Sequence, residues 1–188
     1  MSLLKNNLIA NLELRQEDNY YMIFAKDEFN KVVGTCKFRI VMNYARELTE
    51  AQRQIYAKNR KIKIEEVPQR AIVQIDQQKV DSYTRGDDGI KIGNNIYTLL
   101  GSYCELNNIE ITDGNYHRVG LGSEMLRFVT DFADKYACER IDAFVHPYGE
   151  FKFSTIEFYK RHGFEVDKNN NATKRLSAVS NAADMMER

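Results

Sequence analysis

Much of what would place a chain quickly is missing from this one. There is no net charge, because 27 Lys and Arg balance 27 Asp and Glu, so nothing favours nucleic acid or an anionic membrane surface as an obligatory partner. No apolar run approaches the ~18 residues of a spanning helix. The opening MSLLKNNLIANLELRQ lacks a basic start, a continuous apolar stretch and a small-residue cleavage site. A cytoplasmic location is therefore expected. Cysteine is scarce: Cys36, Cys104 and Cys138 stand far apart without a C-x-x-C pair, which argues against a disulfide framework and a zinc site and leaves them as small core residues. His117, His146 and His162 lack the spacing that would set two imidazoles on one helix face, so no metal is expected. There is no internal repeat and no low-complexity segment.

What is present is a globular balance, 43% apolar and 29% charged over 188 residues, which at ~150 residues per domain implies a single domain spanning 1–188 with an insertion. Residues 20 to 42 are rich in β-branched and aromatic types broken once at Asp27-Glu28-Phe29-Asn30, a hairpin signal. From Leu48 to Arg60 the pattern turns helical, with Thr49 and Gln52 as a capping box and Ala51, Ile55 and Tyr56 close together on the helix. Residues 71 to 84 alternate as a strand, and Gly89 and Gly93-Asn94 punctuate before a strand from Ile96 to Ile111. Asp113-Gly114-Asn115 forms a turn, and a helix follows in which Leu121, Met125, Phe128, Val129, Phe132 and Tyr136 recur at helical spacing. Asp131 and Lys135 are expected as an i, i+4 pair on its wet face. Residues 141–145 read as a short strand closed by Pro147. Ser154 and Glu157 suggest a second capping box, and Gly163 a left-handed helix terminator. Phe164 opens another strand, Asn169-Asn170-Asn171 turns it, residues 173–179 return, and 180–188 read as a frayed helix or tail.

Strand, glycine loop and helix in that order bring free N–H groups and the positive end of a helix dipole to one point, which suits phosphate. Gly120 and Gly122 supply the close backbone approach, since a Cβ at either would hold a pyrophosphate away or forbid the φ required. The Walker pattern is excluded because Ser123-Glu124 follows the last glycine, and the dinucleotide fingerprint because Met125 stands where its third glycine belongs. ATP and NAD are poor fits.

Forty residues on stands an aromatic pair, a helical turn and a Gly-Phe. Together, Y-H-R-V-G-L-G-S-E-M-L at 116–126 and S-T-I-E-F-Y-K-R-H-G-F at 154–164 resemble the two motifs of the GNAT N-acetyltransferase superfamily. The family pattern Arg/Gln-x-x-Gly-x-Gly/Ala is met as His117-x-x-Gly120-x-Gly122, with a departure at its first position. Lys152 stands where many members have Asn. The resemblance covers about 96–179, and 44–95 look like an insertion. It implies an α/β fold with a mixed, mostly antiparallel sheet flanked by helices and two strands, about 103–111 and 141–146, splayed at the cofactor site.

The resemblance further implies acetyl-CoA as co-substrate, with direct transfer of its acetyl group to a primary amine through a tetrahedral intermediate. Ile109, Glu110 and Ile111 would hold the thioester arm and carbonyl through their backbone, supplying the oxyanion stabilisation that acyl transfer needs. His117, Arg118, Val119, Gly120, Leu121, Gly122 and Ser123 would wrap the pyrophosphate, with Lys152 and Tyr159 also reaching the cofactor. Tyr159 matches the family tyrosine that can protonate the departing thiolate. A protonated amine needs a base. Glu105 is the first candidate, on a strand parity shared with Asn107 and Ile109; Glu110, facing the other way, is the reserve, and water is the third. The acceptor stays open among amino acid derivatives, polyamines, antibiotics and protein amines, with Tyr83, Tyr97, Tyr103 and the insertion as places for contact. The alternative is a non-catalytic acyl-CoA-binding sensor or interaction module. A neutral surface and an unpaired edge strand leave room for a homodimer. The basic run Arg53, Lys58, Arg60, Lys61, Lys63 reads as a solvated face.

Overall fold

A computed structural model describes residues 2–3, 9–80, 82–86, 89–146 and 152–176. In chain order the strands and helices are β1 (Ser2–Leu3), β2 (Ile9–Glu17), β3 (Tyr20–Lys26), β4 (Val32–Glu47), α1 (Glu50–Arg60), β5 (Arg70–Asp76), α2 (Gln77–Val80), β6 (Thr84–Gly86), β7 (Gly89–Ile92), β8 (Asn95–Ile111), α3 (Leu121–Lys135), β9 (Arg140–Phe144), α4 (Lys152–Arg161), β10 (Glu165–Val166) and β11 (Asn171–Arg175). The fold is a mixed, mostly antiparallel sheet flanked by helices. Pro147, the side chains of Lys152 and Ser154, and residues 177–188 lie outside the description.

The chain divides into two compact units, 1–40 with 102–188, and 41–101; β4 and β8 each contribute one end to either unit. In the first unit the strand order is β1-β2-β3-β4-β8-β9-β11-β10, antiparallel except for the parallel pair β8 and β9. Residues 9–17, in the opening segment of the chain, form a strand. They pair with β3 through a two-residue turn in which Asp18 takes a φ of 45°, and Leu12 and Leu14 alternating with Glu13 and Arg15 are the strand signal. The next turn is held by the Asp27 carboxylate, which accepts the N–H groups of Phe29 at 3.0 Å and Lys31 at 2.9 Å.

Helix α3 explains the core of this unit. Its buried face is Leu121, Met125, Leu126, Val129 and Ala133, the i, i+4 stripe of an amphipathic helix. Phe132 wedges between Tyr21 and Phe38, with ring centroids 4.7 Å and 5.2 Å away. On the wet side Asp131 takes Arg127 as its partner at 3.4 Å, one turn N-terminal, where Lys135 was expected one turn C-terminal. Helix α4 begins at Lys152, so Ser154 sits inside its first turn instead of capping it. Gly163 ends it at a φ of 82°, as expected. The final turn is organised by Asp167, which accepts the N–H groups of Asn169 and Asn171 at 2.8 and 2.9 Å. Buried Cys36, Cys104 and Cys138 are all free thiols.

In the second unit the end of β4 pairs with β5, and β7 with β6 and the start of β8, all antiparallel. Tyr44, Ile75, Val80, Ile90 and Tyr97 form its core. The capping box of α1 is formed, Gln52 N–H giving to Thr49 Oγ1 and Thr49 N–H to Gln52 Oε1. The buried residue of α1 is Ala57, whereas Ile55 and Tyr56 are exposed; their adjacency suggested a core face that the helix turns outward. Arg53 leaves the solvated run and donates to Ile64 O at 2.9 Å. Residues 77–80, expected as strand, form the single turn α2.

Candidate active site

The site begins with a slip in one strand. Along β8, Cys104 and Leu106 point into the core, as strict alternation requires. Farther on it is Ile109 and Ile111 that pack against the core, while Asn108 and Glu110 are exposed. Asn107 and Asn108 therefore both stay off the core face, which inserts one extra residue as a β-bulge does. The backbone agrees. Ser102 O faces the β9 side, accepting Glu139 N–H at 2.9 Å, yet Thr112 N–H faces β4, giving to Val33 O at 3.0 Å. Two expectations change: Ile109 does not share a face with Glu105, and Glu110 lies on the same open face as Glu105.

The slip opens the sheet. β8 and β9 are in register over Cys104↔Ile141, Glu105↔Asp142 and Leu106↔Ala143, and the pairing ends there although β8 runs on to Ile111. Beyond the slip the odd residues turn their backbone groups into the gap. Ile111 O accordingly meets His117 Nε2 at 3.2 Å, whereas Glu110 O approaches Gly34 of β4. The amides of Ile109 and Ile111, not that of Glu110, are the donors available to a group lying in the gap.

One end of the gap meets the loop that starts α3. Arg118 takes a φ of 60° and Gly120 a φ of 103°, and Gly120 is the N-cap without any side-chain cap. Glu124 N–H closes the first turn on Gly120 O at 3.0 Å, so the amides of Leu121, Gly122 and Ser123 precede the first intrahelical bond. Free amides at a helix N-terminus, with the positive end of the dipole behind them, are of the kind that can bind an anion. Of the two glycines only Gly120 is required by its φ; a Cβ on Gly122 would meet the Phe158 ring at 3.5 Å, an ordinary contact. That same proximity brings α4 against the start of α3.

Tyr159, next on α4, is buried and packs edge-on against Phe158 and Phe164, centroids 5.4 and 5.2 Å away. Burial pushes its phenol up to about 12, so it remains an O–H donor throughout the neutral range.

On the opposite face of the sheet from α3 lies a cavity of about 590 Å³, whose lining includes Glu105, Asn107, Asp142, Phe144, Asn171 and Thr173. Glu105 Oε2 accepts both Nε and Nη2 of Arg39, at 3.1 and 2.7 Å, and its Oε1 accepts Asn107 Nδ2 at 3.1 Å. Asp142 Oδ2 accepts Arg140 Nε at 2.8 Å, and its Oδ1 accepts Thr173 Oγ1 at 3.0 Å. Asn107 Oδ1 is buried with no hydrogen-bond partner. Arg39, Asn107 and Asp142 were not singled out from the sequence, although a lone Asp in the apolar run 141–145 was a signal. Of the three tyrosines expected at the acceptor, Tyr103 lies by this row, with Arg140 4.6 Å over its ring, and Tyr83 and Tyr97 belong to the second unit's cluster.

Among the described residues no group of three or more His, Cys, Asp and Glu could hold a metal ion, and no helix is long and apolar enough to cross a membrane. No family model and no curated protein matches the sequence. Solved structures that the chain resembles include GNAT-family acetyltransferases. One from Staphylococcus aureus Mu50 is 14% identical, with 85% of this chain and 69% of that one covered and a TM-score of 0.44. One from Escherichia coli in complex with CoA is 11% identical, with 90% and 83% covered and a TM-score of 0.48. One from Elizabethkingia anophelis with acetyl-CoA bound is 10% identical, with 92% and 100% covered and a TM-score of 0.44. At these identities the likeness is one of fold alone.

Proposed function

We propose that this chain is a GNAT-type N-acetyltransferase that moves the acetyl group of acetyl-CoA to a primary amine. One observation carries the reading: pairing between β8 and β9 stops at Leu106 and Ala143, where the two strands line a polar cavity, while the freed end of β8 reaches the loop before the uncapped N-terminus of α3. The helix N-terminus suits a pyrophosphate and the polar cavity an amine.

In this reading Ile109 and Ile111 donate their N–H groups to the thioester carbonyl, where negative charge grows as the amine attacks. Removing one such donor in a preorganised site costs about 100-fold or more in rate. Glu105 or a water beside it takes the amine proton, and Glu105 must then loosen its bond to Asn107. Tyr159 serves the leaving sulfur as a hydrogen-bond donor. Its phenol at about 12 exceeds an ordinary thiol near ~8.5, so complete proton transfer to the thiolate is uphill by about 5 kcal/mol. The phenol stabilises the thiolate without surrendering its proton, a weaker duty than the resemblance implied.

The engagement of both Glu105 oxygens supports a second reading, a catalytically idle acyl-CoA-binding module. Thermal shift with acetyl-CoA tests the cofactor, since a ligand at 100 times its Kd stabilises by about 2.7 kcal/mol. Thiol release with a panel of amines then tests turnover. With Glu105 as the base, Glu105→Gln loses turnover while still binding CoA; with water as the base it keeps both. A shift without release from any amine leaves the idle module, and no shift with any acyl-CoA removes both readings.

A further inference from the structure

Two carboxylates stand side by side in the cavity wall. Glu105 on β8 and Asp142 on β9 are register partners and share the face on which the cavity opens. Like charges directly opposite on adjacent strands destabilise a sheet. Arg39 and Arg140 relieve the pair, but each guanidinium holds only one oxygen of its carboxylate, Glu105 Oε2 and Asp142 Oδ2. The remaining oxygens, Glu105 Oε1 and Asp142 Oδ1, meet neutral donors from Asn107 and Thr173, and a carboxylate oxygen has a second lone pair to offer. Next to them Asn107 Oδ1 is a buried acceptor with no donor, an unsatisfied oxygen that adds to the local excess of acceptors.

The lining therefore offers acceptors in excess. It includes two carboxylates and neither Lys nor Arg among the described residues. Along one side Phe144, its ring centroid 5.5 Å from that of His146 in a T-shaped pair, supplies an apolar surface. Its size, about 590 Å³, is that of a small-molecule site. Resting on the acetyltransferase reading above, we infer that the acceptor is a small aliphatic diamine or polyamine. One amine faces Glu105 and the gap, a second ammonium lies on Asp142 Oδ1, and the methylenes run along Phe144. An acceptor carrying its own carboxylate would meet acceptor oxygens, Glu105 Oε1 and Asp142 Oδ1, where it needs donors.

A matched four-carbon series tests this: 1,4-diaminobutane, 1-aminobutane and 4-aminobutanoate, each followed by thiol release at saturating acetyl-CoA. The diamine should exceed the monoamine in kcat/KM by about tenfold or more, one charge-assisted contact, and the amino acid should be the poorest. Asp142→Asn should bring the diamine-to-monoamine ratio to within about twofold of one. Its thermal shift with acetyl-CoA reports whether it has folded, and the wild-type series stands without it. If acetyl-CoA shifts the melting temperature and 4-aminobutanoate equals or exceeds the diamine, or nothing in the series turns over, the inference is overturned while the cofactor reading stands. If acetyl-CoA gives no shift, the proposed function fails and the inference with it.

Discussion

Alanine placed at Gly120 and, separately, at Gly122 separates a glycine that the backbone demands from one it merely accommodates. Gly120 holds a φ of 103° and a ψ of 0° at the N-cap of α3, where a Cβ costs about 1–2 kcal/mol. For a chain of this size each kcal/mol moves the melting temperature by about 2–4 °C, so Gly120→Ala should melt roughly 2–8 °C lower. Gly122 lies in the first turn of α3, and its added Cβ would sit 3.5 and 3.6 Å from two Phe158 ring carbons and 4.0 Å from Ile109. Those are ordinary contacts, and alanine improves helix propensity by up to about 1 kcal/mol. Gly122→Ala should therefore melt at the parent temperature or up to about 4 °C higher. Scanning calorimetry with and without acetyl-CoA adds the second dimension. At 100 times Kd the ligand contributes about 2.7 kcal/mol, and Gly120→Ala should lose most of that increment because the amides of residues 121–123 are aimed by the turn at 120. Equal losses in the two variants, or a larger loss at Gly122, would refute this account of the loop.

Tyr159→Phe should keep acetyl-CoA binding and lower kcat, and it should change the alkaline limb of stability. Below about pH 10 the phenol is neutral folded and unfolded and contributes no slope; between there and about 12, where its folded value lies, the unfolded phenol ionises alone, so stability falls by about 1.4 kcal/mol per pH unit. Urea melts from pH 9 to 11.5 should show a shallower fall in Tyr159→Phe; parallel curves would mean the phenol is not desolvated. The three cysteines are predicted to be inert in the native protein, since burial pushes Cys36 up to about 12, Cys138 up to about 11 and Cys104 well above its ordinary value. An aromatic disulfide reagent at pH 8 should find no thiol before denaturation and all three after it. Thr49→Ala removes the capping box of α1 and should cost about 1 kcal/mol, read as a midpoint shift in the same melts.

The long periodic features were legible because one residue's neighbours decide them. The stripe of α3, the terminator Gly163 and the capping box of α1 each rest on residues three or four apart that meet whatever the rest of the chain does. Features that depend on distant partners were not. Ile55 and Tyr56 form a convincing apolar pair on α1, but the face a helix buries is chosen by what packs against it, and here it is Ala57 that faces inward. Ser154 and Glu157 spell a capping box, yet helix-competent residues upstream let α4 start at Lys152 and overrun the cap. Asp131 had basic residues at both i−4 and i+4, Arg127 and Lys135, and nothing local decides between them.

The slip in β8 was the least legible feature, and the site depends on it. Asn107-Asn108-Ile109-Glu110-Ile111 reads as unbroken alternation from Ile109 onward, and only a count back to Leu106 reveals that the core parity has changed. A sequence with strict alternation would carry Glu105, Asn107 and Ile109 on one face and would let β9 pair with β8 to its end. The extra residue instead leaves Asn107 beside Glu105, as alternation would, but sends Ile109 and Ile111 to the core. It also turns odd-numbered amides toward the strand that has stopped pairing. One inserted residue thus turns the amides of Ile109 and Ile111 into the gap on the side where pairing with β9 has stopped, two properties that no pairwise contact in the chain would specify separately. Polar residues at the slip follow from the same geometry: backbone groups released from a ladder need partners, and asparagine can give and accept at once.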